Sequence, residues 1–517
     1  MNGAHHLLHT LSSNGVDLCF ANPGTSEMHF TAALESGNDV RGVLALEEGV
    51  ATGAADGFAR IARRPASTLL HLGPGLANGL SNLHNASRAR SGIVNIVGDH
   101  ATYHKALDAP LNSDIEGTAR PFSGWVRTVA SPDHVTGDCA DAVGVALGGK
   151  ISTLILPADV AWTEVSEKSA VAPLAARPAL PLLDSQEILG AARELQQNGK
   201  RCAILMGGVS LQEQQLELAA AISASTGATV LSDTFVPVVE RGAGRHGTTK
   251  IPYAIPAAQK LLSQFDSILL VDTKAPVAFF AYPNRSSTLT QPGTRFFTVS
   301  PVGADSLPSL QDLHDAVATR TSPRPSAQRL ELPNMPSGSL NSSKLQDWIC
   351  RAIPEDSVVV DEIGTAGPEF FERTHSAHSH DLIVATGGSI GYALPCAIGA
   401  SFARPRTPVV VLQADGSGMY KVQALWTIAR ESLPVVTLVM ANRRYQTLRN
   451  ELKNVGAGDL EDASSDLLDI DRPEISWVDL SSAMGVPATQ ATTVEELDAA
   501  YNRALASQGP HLIEVVF

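Results

Sequence analysis

The sequence predicts an α/β protein built of three doubly wound parallel-sheet domains. Short apolar, β-branched runs recur along its 517 residues, the gaps between them leave room for helices, and two Pro- and Ser-rich stretches divide the series. The runs include GIVNIVG, STLILPAD, CAILMGG, SILLVDT, FFTVS, SVVVDE, VVVLQAD, VVTLVMAN and LIEVVF. They read as strands buried between helical layers, as in repeated βα units. The interruptions at 166–186 and 321–343 read as linkers. They set an N-terminal domain over 1–165, a middle domain over 185–322 and a C-terminal domain over 342–517. A chain of this length exceeds one core and suits about three domains of usual size.

Bulk properties exclude several function classes. A formal net charge of −15 with no clustered Lys or Arg argues against nucleic acid and gives no polybasic patch for a membrane. No apolar run approaches the ~18 residues of a membrane helix. The start, MNGAHHLLHTL, lacks a cationic and then apolar leader. Five widely spaced cysteines, Cys19, Cys139, Cys202, Cys350 and Cys396, suit reduced thiols and a cytoplasmic protein.

In the N-terminal domain the run VDLCFA leads to NPGTSE at 22–27, and STLLHL leads to HLGPGLANGLSN at 71–82. Both loops would stand at strand carboxyl ends, where α/β sites form. Between them, GVLALEEGVATGAADGFAR reads as a strand ending at an acid, followed by a helix of small residues. Glu48 precedes the pair Asp56-Gly57 by eight positions, whereas Glu47 reads as an acid favoured at a helix N-terminus.

The C-terminal domain holds the most specific pattern. VVVLQ and VVTLVM read as parallel strands joined by the crossover KVQALWTIARESL. Their ends deliver Asp415 and, 27 positions later, Asn442. A carboxylate and an amide oxygen suit Mg²⁺, which takes hard oxygens and those of a bound phosphate, and Gly416 lets the backbone come close. Upstream, TGGSIGYALPCAIGAS at 386–401 places a bulky aliphatic, Ile390, in a run of small residues. His375, His378 and His380 lack a placed carboxylate or cysteine partner for zinc. GVSLQ after CAILMGG is short of a full GxGxxG, so FAD is unlikely.

These segments resemble the thiamin diphosphate (ThDP) motif, Gly-Asp-Gly followed by Asn-Asn, and the resemblance to ThDP-dependent 2-oxo acid enzymes is nearly full length. It identifies the domains as pyrimidine-binding, middle and diphosphate-binding. It implies that Asp415, Asn442 and the main-chain carbonyl of Arg444 hold Mg²⁺, with Gly416, Ser417 and Asn442 at the diphosphate. It likewise implies that Ile390 props the cofactor into its bent shape, that the Gly388 carbonyl accepts from the 4′-amino group, and that Glu48 activates the ring. The chain departs from the pattern at Ala414 and Ala441, which stand where the first Gly and first Asn are usual. Since such sites form between chains, the resemblance implies a homodimer at minimum, and a homotetramer by pairing of dimers.

Within the family, His71 after LLH-like residues and Thr25 in the NPGS-like loop resemble benzoylformate decarboxylase, where they would face the substrate. That enzyme's second histidine aligns with Ala281 in KAPVAFFAYP. Thr447, Leu448 and Glu451 take the place of its apolar pocket residues, and an uncompensated Glu451 carboxylate argues against a plain aromatic pocket. GPGLANGLSNLHNA and NRRYQTLRNEL resemble acetolactate synthase large-subunit-like proteins, without the C-terminal extension of true synthases. The expected reaction is decarboxylation of a small-molecule 2-oxo acid followed by carboligation to a second carbonyl compound. Simple decarboxylation to an aldehyde, and a non-catalytic subunit with a decayed site, are the alternatives.

Overall fold

A computed structural model describes residues 1–36, 40–178, 185–319, 323–457 and 466–517. Parts of both expected linkers, 179–184 and 321–322, lie outside these, as does the expected end of the middle domain at 322.

Among the described residues the strands form three sheets, parallel except at one edge. The first contains β1 (Leu18–Asn22), β2 (Arg41–Leu44), β3 (Ala66–Leu70), β4 (Ile93–Asp99), β5 (Trp125–Thr128) and β6 (Ile151–Pro157), in the order β2-β1-β3-β4-β6-β5. Next along the chain come β7 (Cys202–Met206), β8 (Thr229–Ser232), β9 (Val238–Arg241), β10 (Thr249–Lys250), β11 (Ser267–Val271) and β12 (Arg295–Ser300). All but β9 form the second sheet, β10-β8-β7-β11-β12. The third contains β13 (Ser357–Glu362), β14 (His380–Val384), β15 (Val409–Ala414), β16 (Val435–Ala441), β17 (Ala488–Ala491) and β18 (His511–Val516). Its order is β17-β18-β16-β15-β13-β14-β9, with β9 antiparallel to β14. The middle of the chain therefore lends an edge strand to the C-terminal sheet.

Strand order reverses between β1 and β3 in the first sheet and between β13 and β15 in the third. The crevice outside the strand carboxyl ends at such a reversal is where open α/β sheets bind ligands. Thr25 and His71 follow β1 and β3; Asp415 follows β15.

The first and third domains join through two helices, Glu48–Ala62 and Ala393–Ala403, whose apolar residues share one buried cluster. A Cβ on Gly57 would lie 2.0 Å from the Cys396 carbonyl oxygen, and one on Gly399 would lie 1.9 Å from that of Ala54. This crossing explains why both helices read as runs of Gly and Ala. Arg60, wholly buried, fastens the junction: it pairs with Asp56 at 2.6 Å and donates to the carbonyls of Val384 at 2.8 Å and Pro237 at 3.3 Å. One guanidinium thus ties together all three parts of the chain. Replacing Asp56 with Ala leaves that charge buried and unpaired, so chemical denaturation should find the variant destabilised by about 3–5 kcal/mol.

Candidate active site

At the first reversal, β1 runs into a short turn, Thr25–Glu27, and β3 ends against His71. Glu27 is buried, and its carboxylate accepts from the Gly24 N–H at 2.8 Å, the Ser26 hydroxyl at 2.9 Å and His71 Nδ1 at 2.8 Å. Gly98 on β4 makes room for it, since a Cβ there would fall 1.6 Å from Glu27 Oε1. With Nδ1 held by the carboxylate, Nε2 is the nitrogen His71 can offer a substrate. Leu72, next in the chain, is buried at φ +47, a left-handed conformation uncommon for a bulky residue and characteristic of functional turns. Thr25 is exposed, and the hydroxyl nearest the imidazole is that of Ser26, 3.4 Å from Nδ1. Sequence reading missed Glu27 because an acid in a loop needs no partner, and its partner lies 44 positions away.

Glu47 and Glu48 separate cleanly. Glu47 caps the helix Glu48–Ala62, accepting from the Val50 N–H at 3.0 Å, and pairs with Lys421 at 2.8 Å. Glu48 starts the helix, buried, with Oε2 accepting from Asn78 at 3.0 Å. A Cβ on Gly75 would approach Glu48 Oε1 to 2.8 Å. The loop HLGPG therefore leaves space for this carboxyl.

At the second reversal Asp415 is buried, accepting from its neighbour Gly416 N–H at 2.8 Å and from Arg443 N–H at 2.5 Å. Burial raises its pKa from the usual carboxylate value, and the N–H groups of Arg443, Gly416 and Asn442 oppose that shift. Asn442 directly follows the neighbouring strand β16, its Oδ1 accepting from the Arg444 N–H at 3.1 Å. Ser417 accepts from Gln413 at 2.7 Å and donates to the Ala414 carbonyl at 3.2 Å. A Cβ on Gly416 would meet the Tyr445 ring at 2.5 Å. Ala414, where the motif usually has glycine, sits at φ −74, ψ 143, a conformation open to any residue. An oxygen-only donor set beside a close-approach glycine fits magnesium diphosphate.

The loop carrying Gly388 and Ile390 is held from both sides. Glu362, at the end of β13, accepts from the N–H groups of Gly391 at 2.6 Å and Ala393 at 3.0 Å, and burial raises its pKa. His84 lies 3.1 Å from the Gly387 carbonyl, and Asn85 donates to that of Ser389 at 2.8 Å. Gly388 and Gly391 have φ of +74 and +84, so the loop depends on glycine at both. Ile390 between them is 43% exposed. A bulky aliphatic held out of the core by an anchored loop fits the prop expected of it. Among the described residues no hydrogen bond links Glu48 or His71 to Asp415, Ser417 or Asn442.

The middle of the chain contributes aromatic rings. Phe279 packs on Phe235 and Phe280 with centroids 5.1 and 4.7 Å apart, and a Cβ on Gly388 would meet its Cζ at 2.6 Å. Glu451 is not the uncompensated carboxylate its sequence suggested: the Tyr282 hydroxyl donates to it at 2.7 Å. Elsewhere, the Gly207–Gly208 turn after β7 is filled by the chain itself, for Arg90 pairs there with Asp272, whose oxygens also accept from Val209 and Gly303 N–H at 2.8 Å. His380 is buried in β14 with Nδ1 2.7 Å from the His378 carbonyl, and burial pushes its pKa down to about 3. Among the described residues no group of three or more His, Cys, Asp or Glu could hold a metal, and no helix is long and apolar enough to cross a membrane.

Residues 1–117 match the thiamine pyrophosphate enzyme N-terminal TPP binding domain, and residues 363–515 match the C-terminal TPP binding domain of the same enzymes. A Mycobacterium tuberculosis protein, provisionally named acetolactate synthase large subunit IlvX, is 45% identical over 100% of this chain and 99% of its own length. The chain belongs to the thiamin diphosphate-dependent enzyme family. Benzoylformate decarboxylase of Pseudomonas aeruginosa is 29% identical, over 98% of this chain and 97% of that one. Among solved structures, the Rhodococcus jostii RHA1 4-hydroxybenzoylformate decarboxylase shares the fold, with a TM-score of 0.85 at 24% identity, covering 100% of this chain and 99% of that one. The matched segments take in β1 to β4 of the first sheet and β14 to β17 with most of β18 of the third, and the loops after these strands carry Glu48, His71 and Asp415.

Proposed function

We propose that this enzyme, with thiamin diphosphate and Mg²⁺, decarboxylates a 2-oxo acid and joins the remaining acyl group to a second carbonyl compound. The observation that bears most weight is a buried Glu48 against the loop that follows β3, together with the oxygen donors Asp415 and Asn442 after the neighbouring strands β15 and β16. Domain 1–165 would hold the aminopyrimidine against Glu48, and domain 342–517 the diphosphate, with 185–322 closing the substrate side. Asp415, Asn442 and the Arg444 carbonyl would ligate Mg²⁺; Gly416, Ser417 and Asn442 would contact the diphosphate; Ile390 and the Gly388 carbonyl would set the cofactor's shape. When bound, thiamin diphosphate supplies the nucleophilic carbon and the electron sink for loss of carbon dioxide.

The chain's own residues then have distinct tasks. Glu48 holds and moves a proton at the aminopyrimidine. His71, oriented by Glu27, presents Nε2 to the substrate carboxylate and can donate or accept a proton there, with Thr25 and Ser26 on the adjoining turn. Leu46, Ile390, Met419 and Tyr420 are exposed in a single chain, which accords with a homodimer covering them, and a tetramer of paired dimers rests on the resemblance alone. The reading places the enzyme in the cytoplasm with all five buried thiols reduced.

A second reading, decarboxylation with release of an aldehyde, is favoured by the Glu27-held imidazole and the rings around Phe279. Incubating the holoenzyme with a panel of 2-oxo acids and identifying products separates the two. Carbon dioxide with a 2-hydroxy ketone supports carboligation, and carbon dioxide with an aldehyde alone replaces it with the second reading. A chain that binds neither thiamin diphosphate nor Mg²⁺ in calorimetry would overturn both in favour of a decayed subunit.

A further inference from the structure

We infer that Glu47 and Lys421 are positioning residues for the cofactor site: their ion pair fixes the helix start that carries Glu48 to the segment that follows Asp415, so that the two halves meet the cofactor in register. The inference rests on the thiamin diphosphate site proposed above and concerns how that site is assembled.

Three polar contacts run in a line between the first and third domains. Arg41, at the start of β2, pairs with Glu431. The Leu44 carbonyl, at the end of β2, accepts from the buried Thr427 hydroxyl at 3.0 Å, and three residues further Glu47 Oε1 accepts from Lys421 Nζ at 2.8 Å. Residues 421, 427 and 431 all belong to the crossover between β15 and β16. That crossover opens on Asp415 and leads through β16 to Asn442, while the segment 41–47 leads into Glu48. The chain therefore stitches its activating acid and its metal grip together at three points.

The three contacts are unequal. The Arg41 side chain is 61% exposed, so water screens that pair. Lys421 and Glu47 are only 13% and 17% exposed, and each oxygen of the carboxylate has its own donor, since Oε2 accepts from the Val50 N–H at 3.0 Å. Removing either partner leaves a largely desolvated charge. Gly49, next to Glu48, makes room for the ammonium: a Cβ there would lie 2.4 Å from Lys421 Nζ. The stem of the same lysine passes Gly391, next to Ile390, where a Cβ would stand 3.5 Å from Cγ. One side chain thus runs beside the segments carrying Glu48 and Ile390, four residues beyond Ser417. Where sites form between chains, each chain gives Glu48 to one site and Asp415 to the other, and the spacing of these contributions is an intrachain distance. Without the Lys421 contact the halves spread over more arrangements, and apparent affinity falls with the fraction that stays competent.

The test uses the full chain with saturating Mg²⁺ and reads thiamin diphosphate affinity by calorimetry. Lys421→Met and Glu47→Gln should each weaken binding about fivefold, the shift that loss of one net hydrogen bond of ordinary strength allows. The double variant should bind no more weakly than either single one, because all three lack the same contact. Lys421→Arg, which can still reach Glu47, should bind like the native chain. So should Arg64→Gln, which loses an ion pair to Asp17 within the first domain. The loss should fall on affinity, with proton exchange at the saturated cofactor changed far less. Lower melting temperatures without cofactor beside native affinity in both single variants would make the pair a structural contact only and overturn the inference, as would losses that add in the double variant. If Lys421→Met does not fold, weakened binding in Glu47→Gln beside native binding in Lys421→Arg supports the inference, and native affinity in Glu47→Gln overturns it. No step uses a 2-oxo acid, so a chain that responds in this way but turns over none of those acids would remove that reading and leave the positioning role standing.

Discussion

Glu48→Gln is expected to lower turnover by on the order of a thousandfold while leaving thiamin diphosphate affinity close to that of the native chain. The substitution keeps size and shape, and its amide oxygen can still accept from Asn78, so the helix start and the HLGPG loop have no reason to move. What it removes is the proton that, under the proposed function, the carboxyl exchanges with the aminopyrimidine. The neighbouring acid offers no substitute, because Glu47 is fixed by the Val50 N–H and by Lys421. Calorimetry gives the affinity, and proton exchange at the cofactor's reactive carbon, followed by NMR, gives the activation step without reference to any substrate. Native exchange rates in the variant would remove Glu48 from the mechanism. Glu47→Gln serves as the comparison: it should cost stability through a weaker cap and a lost ion pair, about 1 kcal/mol, with exchange unaffected.

What was legible in the sequence is what local pattern specifies. Strands such as VVVLQ and VVTLVM are apolar on both faces, so buried parallel strands, and with them the positions of Asp415 and Asn442, followed from the runs themselves. Glu48 was separable from Glu47 by its spacing to Asp56. The groups that went unread act through partners remote in sequence: Glu27 through His71, Glu362 through Gly391 and Ala393, Arg60 through Val384, and Tyr282 through Glu451. Each is a polar residue whose role depends on which loops the fold brings together, and a single sequence contains no record of that. The antiparallel β9 was hidden for a related reason, since VVER is short, half polar and assigned by position to the middle of the chain, yet pairs with β14. Glu451 illustrates the opposite error: considered alone it argued against aromatic surroundings, and with Tyr282 in place that argument fails.

Asp415→Asn should weaken Mg²⁺-supported binding of thiamin diphosphate by at least about a hundredfold, because withdrawing one partner from a buried ionic contact costs about 3–5 kcal/mol. The protein without cofactor should respond much less. Burial opposes the ionised form of Asp415, so an uncharged amide relieves a desolvated charge, but its single oxygen can replace only one of the two that accept from the Gly416 and Arg443 N–H groups. With these effects opposed, the variant chain alone should melt within a few degrees of the native temperature, yet lose the rise in melting temperature that cofactor and Mg²⁺ give the native chain by mass action. The two readouts move apart only if the carboxylate is kept for its ligand. A variant that melts lower without cofactor but still binds it tightly would make Asp415 a structural cap for the Arg443 turn, and the metal would have to be held elsewhere.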